Sequence, residues 1–212
     1  DIADTKVLDL RNDDFAPTLS IKVRDKETSL PLIANLTLQG SKSIAALYVG
    51  SDFFFSLDRK FTLVIQCDVE GYFFNDMEVA IVGMEDHEVI IEVEKVSKGK
   101  KILLEEIEFK PGTSIISASS QPKLDRLKAF LALNSGLNVA IHGHVHSTGK
   151  NSLAGQRMSE ARAKQILKYL VSSGIDKTRL STEGFGNTQP LFEDAKFSYE
   201  EQANRRVEIV II

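Results

Sequence analysis

The chain has 212 residues, enough for one large domain or for two domains of about 100 residues each. Its net charge of −4 does not favour broad binding to nucleic acid or to an anionic membrane, since both require a basic surface. No apolar run approaches the ~20 residues that cross a bilayer, and no signal peptide or lipid-anchor motif is present. We therefore expect no nucleic-acid partner and no transmembrane segment. A chain that opens at Asp1 is expected to be a mature form or a piece of a longer protein.

Residues 1–97 have the pattern of a β domain. The segment "TLSIKVRD" alternates Leu19, Ile21 and Val23 with polar residues, which is the period of a half-buried strand. Further short apolar segments follow, separated by turn residues, and no helical stripe interrupts them. We predict an antiparallel β-sandwich over 1–97, with Cys67, the only cysteine, buried in a strand.

The pattern changes after the polar break "SKGKK" at 97–101. "KILLEEIEF" is predicted to be a strand, and "SSQPKLDRLKAFLALNSG" is predicted to be a helix capped by Ser119 or Ser120 and ended by Gly136. Its buried stripe is predicted to be Leu124, Leu127 and Leu131. A strand, "LNVAIHGH", follows this helix.

A second helix is predicted over "MSEARAKQILKYLVSSG", with Ser159 as its cap and Gly174 at its end. Its inward face is predicted to be Ala163, Ile166, Leu167 and Leu170. "RLSTEGFG" and "RRVEIVII" are predicted to be two further strands. We therefore expect an α+β domain of order βαβαββ over residues 102–212, with two helices on one face of the sheet.

Three histidines, His142, His144 and His146, alternate within "IHGHVHSTG". On a strand they would share one side, so a zinc site is one interpretation. "GHVH" also resembles a fragment of calcineurin-like metallophosphoesterases, but the Asp-x-His, Gly-Asp-x-x-Asp and Gly-Asn-His-Glu segments of that family are absent. We expect no catalysis and no cofactor, and we favour ordinary hydrogen-bonded histidines over the zinc alternative.

The second half also carries a series of motifs in a fixed order. They are "GHVH" at 143–146, "MSEARA" at 158–163, "GI" at 174–175, "GFG" at 184–186 and "NRRVE" at 204–208. Over 102–212 the chain resembles the OmpA C-terminal-like domain, the peptidoglycan-associated module of Gram-negative envelopes. The resemblance implies non-covalent binding of the peptidoglycan stem peptide, in the periplasm and in association with the outer membrane.

Arg162 is the residue that best supports a binding site. If Ser159 caps the helix, Arg162 lies in the first turn, where a cation opposes the helix dipole unless an anion bridges it. A surface arginine, or one paired with a carboxylate of the protein itself, is the alternative interpretation. The resemblance implies that Arg162 grips a carboxylate of diaminopimelate, and that an aspartate ending "GHTD" binds the ammonium of the same residue.

This chain departs from the family at that aspartate, because His146 stands in its place. A neutral imidazole brings no charge, and a protonated one would repel an ammonium. Loss of such a charge-assisted contact costs ~1.5–3 kcal/mol. We therefore expect weaker diaminopimelate binding, or preference for an altered stem peptide. The predicted ligand-binding residues are Arg162, His146, His144, Ser147, Thr148, Gly149, Asn204, Arg205 and Arg206.

The first half carries a looser set of motifs. They are "VRD" at 23–25, "PLIA" at 31–34, "FFFSL" at 53–57 and "GY" at 71–72. These resemble the carboxypeptidase regulatory-like sandwich, which implies a spacer or docking module. Two functions remain open. The chain either anchors to peptidoglycan, or has lost wall binding and serves with both domains as interaction modules in an outer-membrane complex.

Overall fold

The computed structural model of the protein describes residues 17–212 with the exception of 41, 43, 84, 105 and 106. The chain divides into two compact units, Asp1–Lys95 and Val96–Ile212. Part of the predicted sandwich, residues 1–16, and two positions of the predicted strand "KILLEEIEF" lie outside the described residues.

The described part of the first unit consists of strands in two sheets. The strands are β1 (Thr18–Asp25), β2 (Ala34–Gln39), β3 (Leu47–Gly50), β4 (Asp52–Ser56), β5 (Phe61–Asp68), β6 (Asn75–Ile81) and β7 (His87–Val93). One sheet has the order β4-β1-β7 and the other β3-β2-β5-β6. β1 and β7 pair in parallel, so the prediction of a wholly antiparallel domain is wrong for this pair. Apart from β4, the intervening strands belong to the other sheet, and this long connection between β1 and β7 allows their parallel pairing.

The alternation predicted for β1 is confirmed, because Leu19, Ile21 and Val23 are fully buried. Cys67 is also buried, in β5, and both sheets contribute side chains to one apolar cluster. At the end of β1, the Asp25 carboxylate accepts hydrogen bonds from the Tyr72 hydroxyl at 2.7 Å and from two backbone N–H groups of the following turn. The Tyr72 bond and these N–H groups lower the pKa of Asp25 to about 2.

The second unit is a four-stranded sheet with helices. Its elements are β8 (Lys101–Leu104), α1 (Gln121–Leu133), β9 (Val139–Gly143), α2 (Leu153–Ser172), β10 (Leu180–Gly184), α3 (Ser198–Asn204) and β11 (Val207–Ile211). The sheet order is β10-β9-β11-β8, with β9 and β10 parallel and the other pairs antiparallel. The mixed α and β composition agrees with the prediction, but α3 is a helix that the sequence pattern missed. In the described part of the chain, none of the helices is both long and apolar enough to cross a membrane.

The predicted core face of α1 is confirmed, because its three leucines at 124, 127 and 131 are buried. Ser120 occupies the N-cap position, but its hydroxyl accepts from the Glu108 N–H at 2.8 Å instead of capping the helix. The helix ends at Leu133 and is closed by Asn134 rather than Gly136. The predicted end was therefore slightly too late.

The prediction that Ser159 caps α2 is wrong. The helix begins at Leu153, and the Ser152 hydroxyl accepts from the Gly155 N–H at 3.0 Å. Ser159 lies inside the helix and is fully buried, where it donates to the Gln156 carbonyl and accepts from the Gly186 N–H at 2.9 Å. The first turn of α2 is solvent-exposed, so the apolar stripe in the sequence begins after the helix has started.

Two glycines allow α2 to lie directly on the sheet. A Cβ on Gly143 of β9 would come within 2.1 Å of the Ser159 carbonyl oxygen. A Cβ on Gly184 of β10 would come within 2.5 Å of the Glu160 nitrogen. Backbone therefore packs against backbone at both points, which fixes the position of α2 and of the residues that follow Ser159.

Candidate functional site

Arg162 lies well inside α2 and is partly buried. Its guanidinium sits over the ring of Phe109, with Cζ 4.8 Å from the ring centroid, and its Nε–H donates to the Thr113 carbonyl at 3.2 Å. No carboxylate in the described ranges forms an ion pair with this side chain. Burial, together with the positive charge of Arg205, lowers the pKa of Arg162. The charge is therefore partly desolvated and lacks a counter-ion among these residues.

The reason for expecting an anion at Arg162 changes accordingly. Its position within α2 removes the argument from the helix dipole, which acts only over the first turn. The alternative of pairing with an internal acid is not realised among the described residues. With Nε engaged by a carbonyl, the two terminal nitrogens keep the paired donors that match a carboxylate.

A small cluster of charged groups surrounds His146. Glu201 of α3 places Oε1 3.9 Å from His146 Nε2 and Oε2 3.5 Å from Arg205 Nη1. Arg205 also donates to the Gln202 side chain at 3.2 Å, and its charge acts on Arg162. The His146 imidazole, the Glu201 carboxylate and the Arg205 guanidinium are thus neighbours, and Arg162 lies within the electrostatic range of Arg205.

His146 also borders an open cavity of about 540 Å³. Predicted site residues that line it are His146, Ser147, Thr148, Gly149 and Asn204. Charged side chains that line it are Glu193, Asp194 and Lys196. The side-chain amide of Asn187 donates to the carbonyls of Ser147 and Gly149, at 3.0 and 2.9 Å, and so holds the loop that follows β9.

Asn204 lines the cavity but is only 2% exposed. Its Oδ1 accepts from the N–H groups of Leu191 and Phe192, at 2.7 and 3.0 Å, and its Nδ2 donates to the Phe192 carbonyl at 2.8 Å. These three bonds use most of the hydrogen-bonding capacity of the amide. Asn204 therefore shapes the cavity by holding the loop before α3.

His144 and Arg206 lie in the interior, away from the cavity lining. Arg206 binds Glu208 Oε1 through Nε and Nη2, at 2.8 and 2.6 Å, and Lys101 binds the other carboxylate oxygen at 2.8 Å. His144 is 1% exposed, stacks on Phe185 and lies 3.8 Å from Glu208. Burial and the charge of Arg206 lower the pKa of His144 to about 4. The resemblance grouped these two residues with the ligand contacts, whereas the structure gives them a core environment.

The three histidines do not converge on one point. His142 and His144 both contact the ring of Phe185, at 4.8 and 5.3 Å between centroids, whereas His146 faces Glu201. Among the residues that the structure describes, no group of three or more His, Cys, Asp or Glu side chains is placed to hold a metal ion. The zinc interpretation therefore has no geometric support there.

Three residues of the candidate site are not marked by the sequence motifs. Phe109 and Thr113 support the Arg162 guanidinium, and Glu201 faces His146. Thr113 acts through its backbone carbonyl, which no side-chain pattern reveals. The spacing of four residues between Glu201 and Arg205 could have indicated an ion pair, because side chains at that spacing are neighbours on a helix.

The second unit is a mixed α/β domain that carries a partly buried arginine on its longest described helix. Arg162 has no carboxylate partner among the described residues, and the open cavity is bordered by His146, which faces Glu201. Residues 108–205 match the model of the OmpA family. This part of the chain is therefore an OmpA-like domain.

Known proteins are similar to this chain over part of its length. Outer membrane protein A of Bordetella avium is 40% identical over 70 residues, which are 33% of this chain and 35% of that protein. Peptidoglycan-binding protein ArfA of Mycobacterium bovis is 34% identical over 101 residues, which are 47% of this chain and 30% of that protein. A solved outer membrane protein from Borrelia burgdorferi B31 is 30% identical, with 57% of this chain and 96% of that chain covered and a TM-score of 0.44.

This chain spans between 13% and 49% of the length of the curated relatives that it matches. The family match falls inside the second unit. The resemblance of the first unit to the carboxypeptidase regulatory-like sandwich stays a prediction.

Proposed function

We propose that this chain anchors non-covalently to peptidoglycan by gripping a stem-peptide carboxylate with Arg162. The partly buried guanidinium without a carboxylate partner among the described residues is the observation that carries the proposal. The OmpA-like domain supports it, as does the similarity to a protein named peptidoglycan-binding. The protein would act without catalysis in the periplasm, associated with the outer membrane of a Gram-negative bacterium.

The chemistry of the grip follows from the surroundings of Arg162. Phe109 covers one face of the guanidinium and the Thr113 carbonyl holds Nε, so a ligand carboxylate meets a donor that is already oriented. Two parallel charge-assisted hydrogen bonds then form in a partly desolvated site. No bond of the peptidoglycan is broken.

Recognition of diaminopimelate is altered in this proposal, because His146 occupies the position of the family's aspartate. The imidazole supplies one acceptor at most and no negative charge. The ligand is therefore a diaminopimelate-type stem peptide bound more weakly than usual, or a variant such as an amidated or differently linked peptide.

A second candidate function is protein interaction within an envelope complex, with wall binding lost. Large apolar side chains on strands of the first unit favour it, since Val49 and Phe54 are each 67% exposed. This candidate needs no ligand at Arg162.

Co-sedimentation with purified peptidoglycan separates the two functions. Arg162→Ala should lower the affinity about ten- to a hundredfold, which corresponds to the loss of a charge-assisted contact. Arg157→Ala is the matched control, because Arg157 is an exposed cation of the same helix and its removal changes the net charge equally. Absence of wild-type binding, or equal binding by wild type and Arg162→Ala, would favour the interaction module.

A further inference from the structure

The cluster around His146 contains a carboxylate that the sequence motifs do not assign to any role. Glu201 of α3 is 42% exposed at its side chain and places Oε1 3.9 Å from His146 Nε2. The position that lacks a carboxylate on the loop after β9 is therefore next to a carboxylate on another element. Its negative charge lies beside the place where the family's aspartate would stand.

Glu201 keeps acceptor capacity for a ligand. Oε2 meets Arg205 at 3.5 Å, the long end of a hydrogen bond, and Arg205 divides its donors between Glu201 and Gln202. Oε1 has no hydrogen bond within the described part of the chain, and 3.9 Å to the imidazole is too long for one. A carboxylate accepts at both oxygens, so an ammonium can bind at Oε1 without displacing Arg205.

Arg205 interacts with both of the charged groups that this proposal needs. Glu201 contacts Arg205, and Arg205 is close enough to Arg162 to disfavour its charged form. Arg205 thus contacts the Glu201 carboxylate and acts electrostatically on the Arg162 guanidinium, which has no carboxylate partner in the described part of the chain. Arg162 and Glu201 therefore offer a cation and an anion to a ligand that carries both a carboxylate and an ammonium.

We propose that Glu201 binds the ammonium of the stem-peptide residue whose carboxylate is held by Arg162, in place of the aspartate that His146 has replaced. This assignment rests on the proposed function, since it names the second half of the same site. Glu193 and Asp194, which line the neighbouring cavity, are the competing acids, and they serve as controls.

Calorimetric titration with two synthetic peptides tests the assignment. One is a stem tripeptide ending in diaminopimelate, and the other is the same peptide with its free side-chain amine acetylated. For the wild type, acetylation should weaken binding about ten- to a hundredfold. Glu201→Gln should bind the peptide with the free amine as weakly as the wild type binds the acetylated peptide. Acetylation should cause no further loss of affinity in this variant. The matched controls Glu193→Gln and Asp194→Asn should keep the wild-type preference.

A second variant guards against an effect of Glu201→Gln on folding. His146→Asp combined with Glu201→Gln returns a carboxylate to the site, and the preference for the free amine should return. One outcome would overturn the role of Glu201 alone: Arg162→Ala no longer binds the tripeptide, but Glu201→Gln still prefers the free amine as strongly as the wild type does. Glu201 would then not bind the ammonium, and the proposed function would stand. If the wild type binds neither the tripeptide nor peptidoglycan, both proposals fail.

Discussion

Two charged regions of the second unit differ in how their arginines are neutralised. In the interior, Arg206 and Lys101 share the carboxylate of Glu208, and the side chains of Arg206 and Glu208 are 3% and 2% exposed. At the candidate site, Arg162 has an aromatic ring and a carbonyl as neighbours, with no carboxylate within the described residues. An arginine paired inside the protein contributes to the folded state, whereas one without a counter-ion is available to a ligand. The sequence motifs alone do not distinguish an arginine that is paired inside the protein from one that is open to a ligand.

The largest expected effect concerns stability. Arg206→Ala would remove the buried partner of Glu208 and leave the carboxylate with the ion pair to Lys101. Removal of one partner of a buried ion pair costs about 3–5 kcal/mol. Arg162→Ala removes a partly desolvated cation that has no ion pair with the described residues, so the free energy of unfolding should change by under about 1 kcal/mol. Urea denaturation of both variants measures the difference, and equal destabilisation would remove the contrast between the two regions.

The second effect is a pH dependence that belongs to the interior region. The pKa of His144 is lowered from 6.5 to about 4, so between these values the unfolded chain binds a proton that the folded chain does not. The neutral imidazole therefore stabilises the folded state fully above pH 6.5, and this stabilisation is lost as the pH falls towards 4. At pH 5 the free energy of unfolding should be about 2 kcal/mol lower than at neutral pH.

Urea denaturation at pH 7 and pH 5 checks this dependence. His144→Phe, which keeps the stacking on Phe185, should flatten the slope between the two values. A slope that is the same in the wild type and in His144→Phe would assign the acid sensitivity to other groups.

The smallest expected effect lies in the open site. His146→Asp adds a carboxylate beside Glu201, and the tripeptide with the free amine should bind up to about tenfold more tightly, or by about 1.4 kcal/mol. The acetylated tripeptide is the control, since the gain should disappear when the ammonium is absent. Unchanged affinity for the free amine would show that position 146 no longer contributes to recognition.

Local periodicity was sufficient to predict β1 and the buried face of α1. β1 follows the alternation of its side chains, and α1 buries the leucine stripe that its spacing indicated. The parallel pairing of β1 with β7 was not accessible in this way, because strand pairing joins segments that lie far apart in sequence. Periodicity describes which face of a strand is buried, but it does not name the neighbouring strand.

The start of α2 shows how a long-range contact overrides a local signal. Both Ser152 and Ser159 are chemically suited to cap a helix. Ser159 is instead buried beneath Gly186, whose N–H it accepts, and this contact depends on the return of the chain after β10. The exposed first turn of α2 carries no apolar stripe, so the pattern alone favoured the later serine.

The candidate site was predicted in part, because its key arginine lies in a motif and its new acid does not. α3 is short, and its start lacks the usual serine or threonine cap, although Glu200 accepts from the N–H groups of Lys196 and Phe197. Without that helix in view, Glu201 had no assigned neighbour. Its proximity to His146 is a tertiary contact between segments far apart in sequence.

The contact of α2 with Gly143 and Gly184 has a consequence for how this domain can diversify. Because backbone packs on backbone there, α2 and its Arg162 are held at a fixed place on the sheet. His146 and Glu201 lie outside that contact, on the loop after β9 and on α3. Residues on those two segments can therefore be exchanged without disturbing the packing of α2, and in the proposed site such exchanges would change ligand preference while Arg162 stays in place.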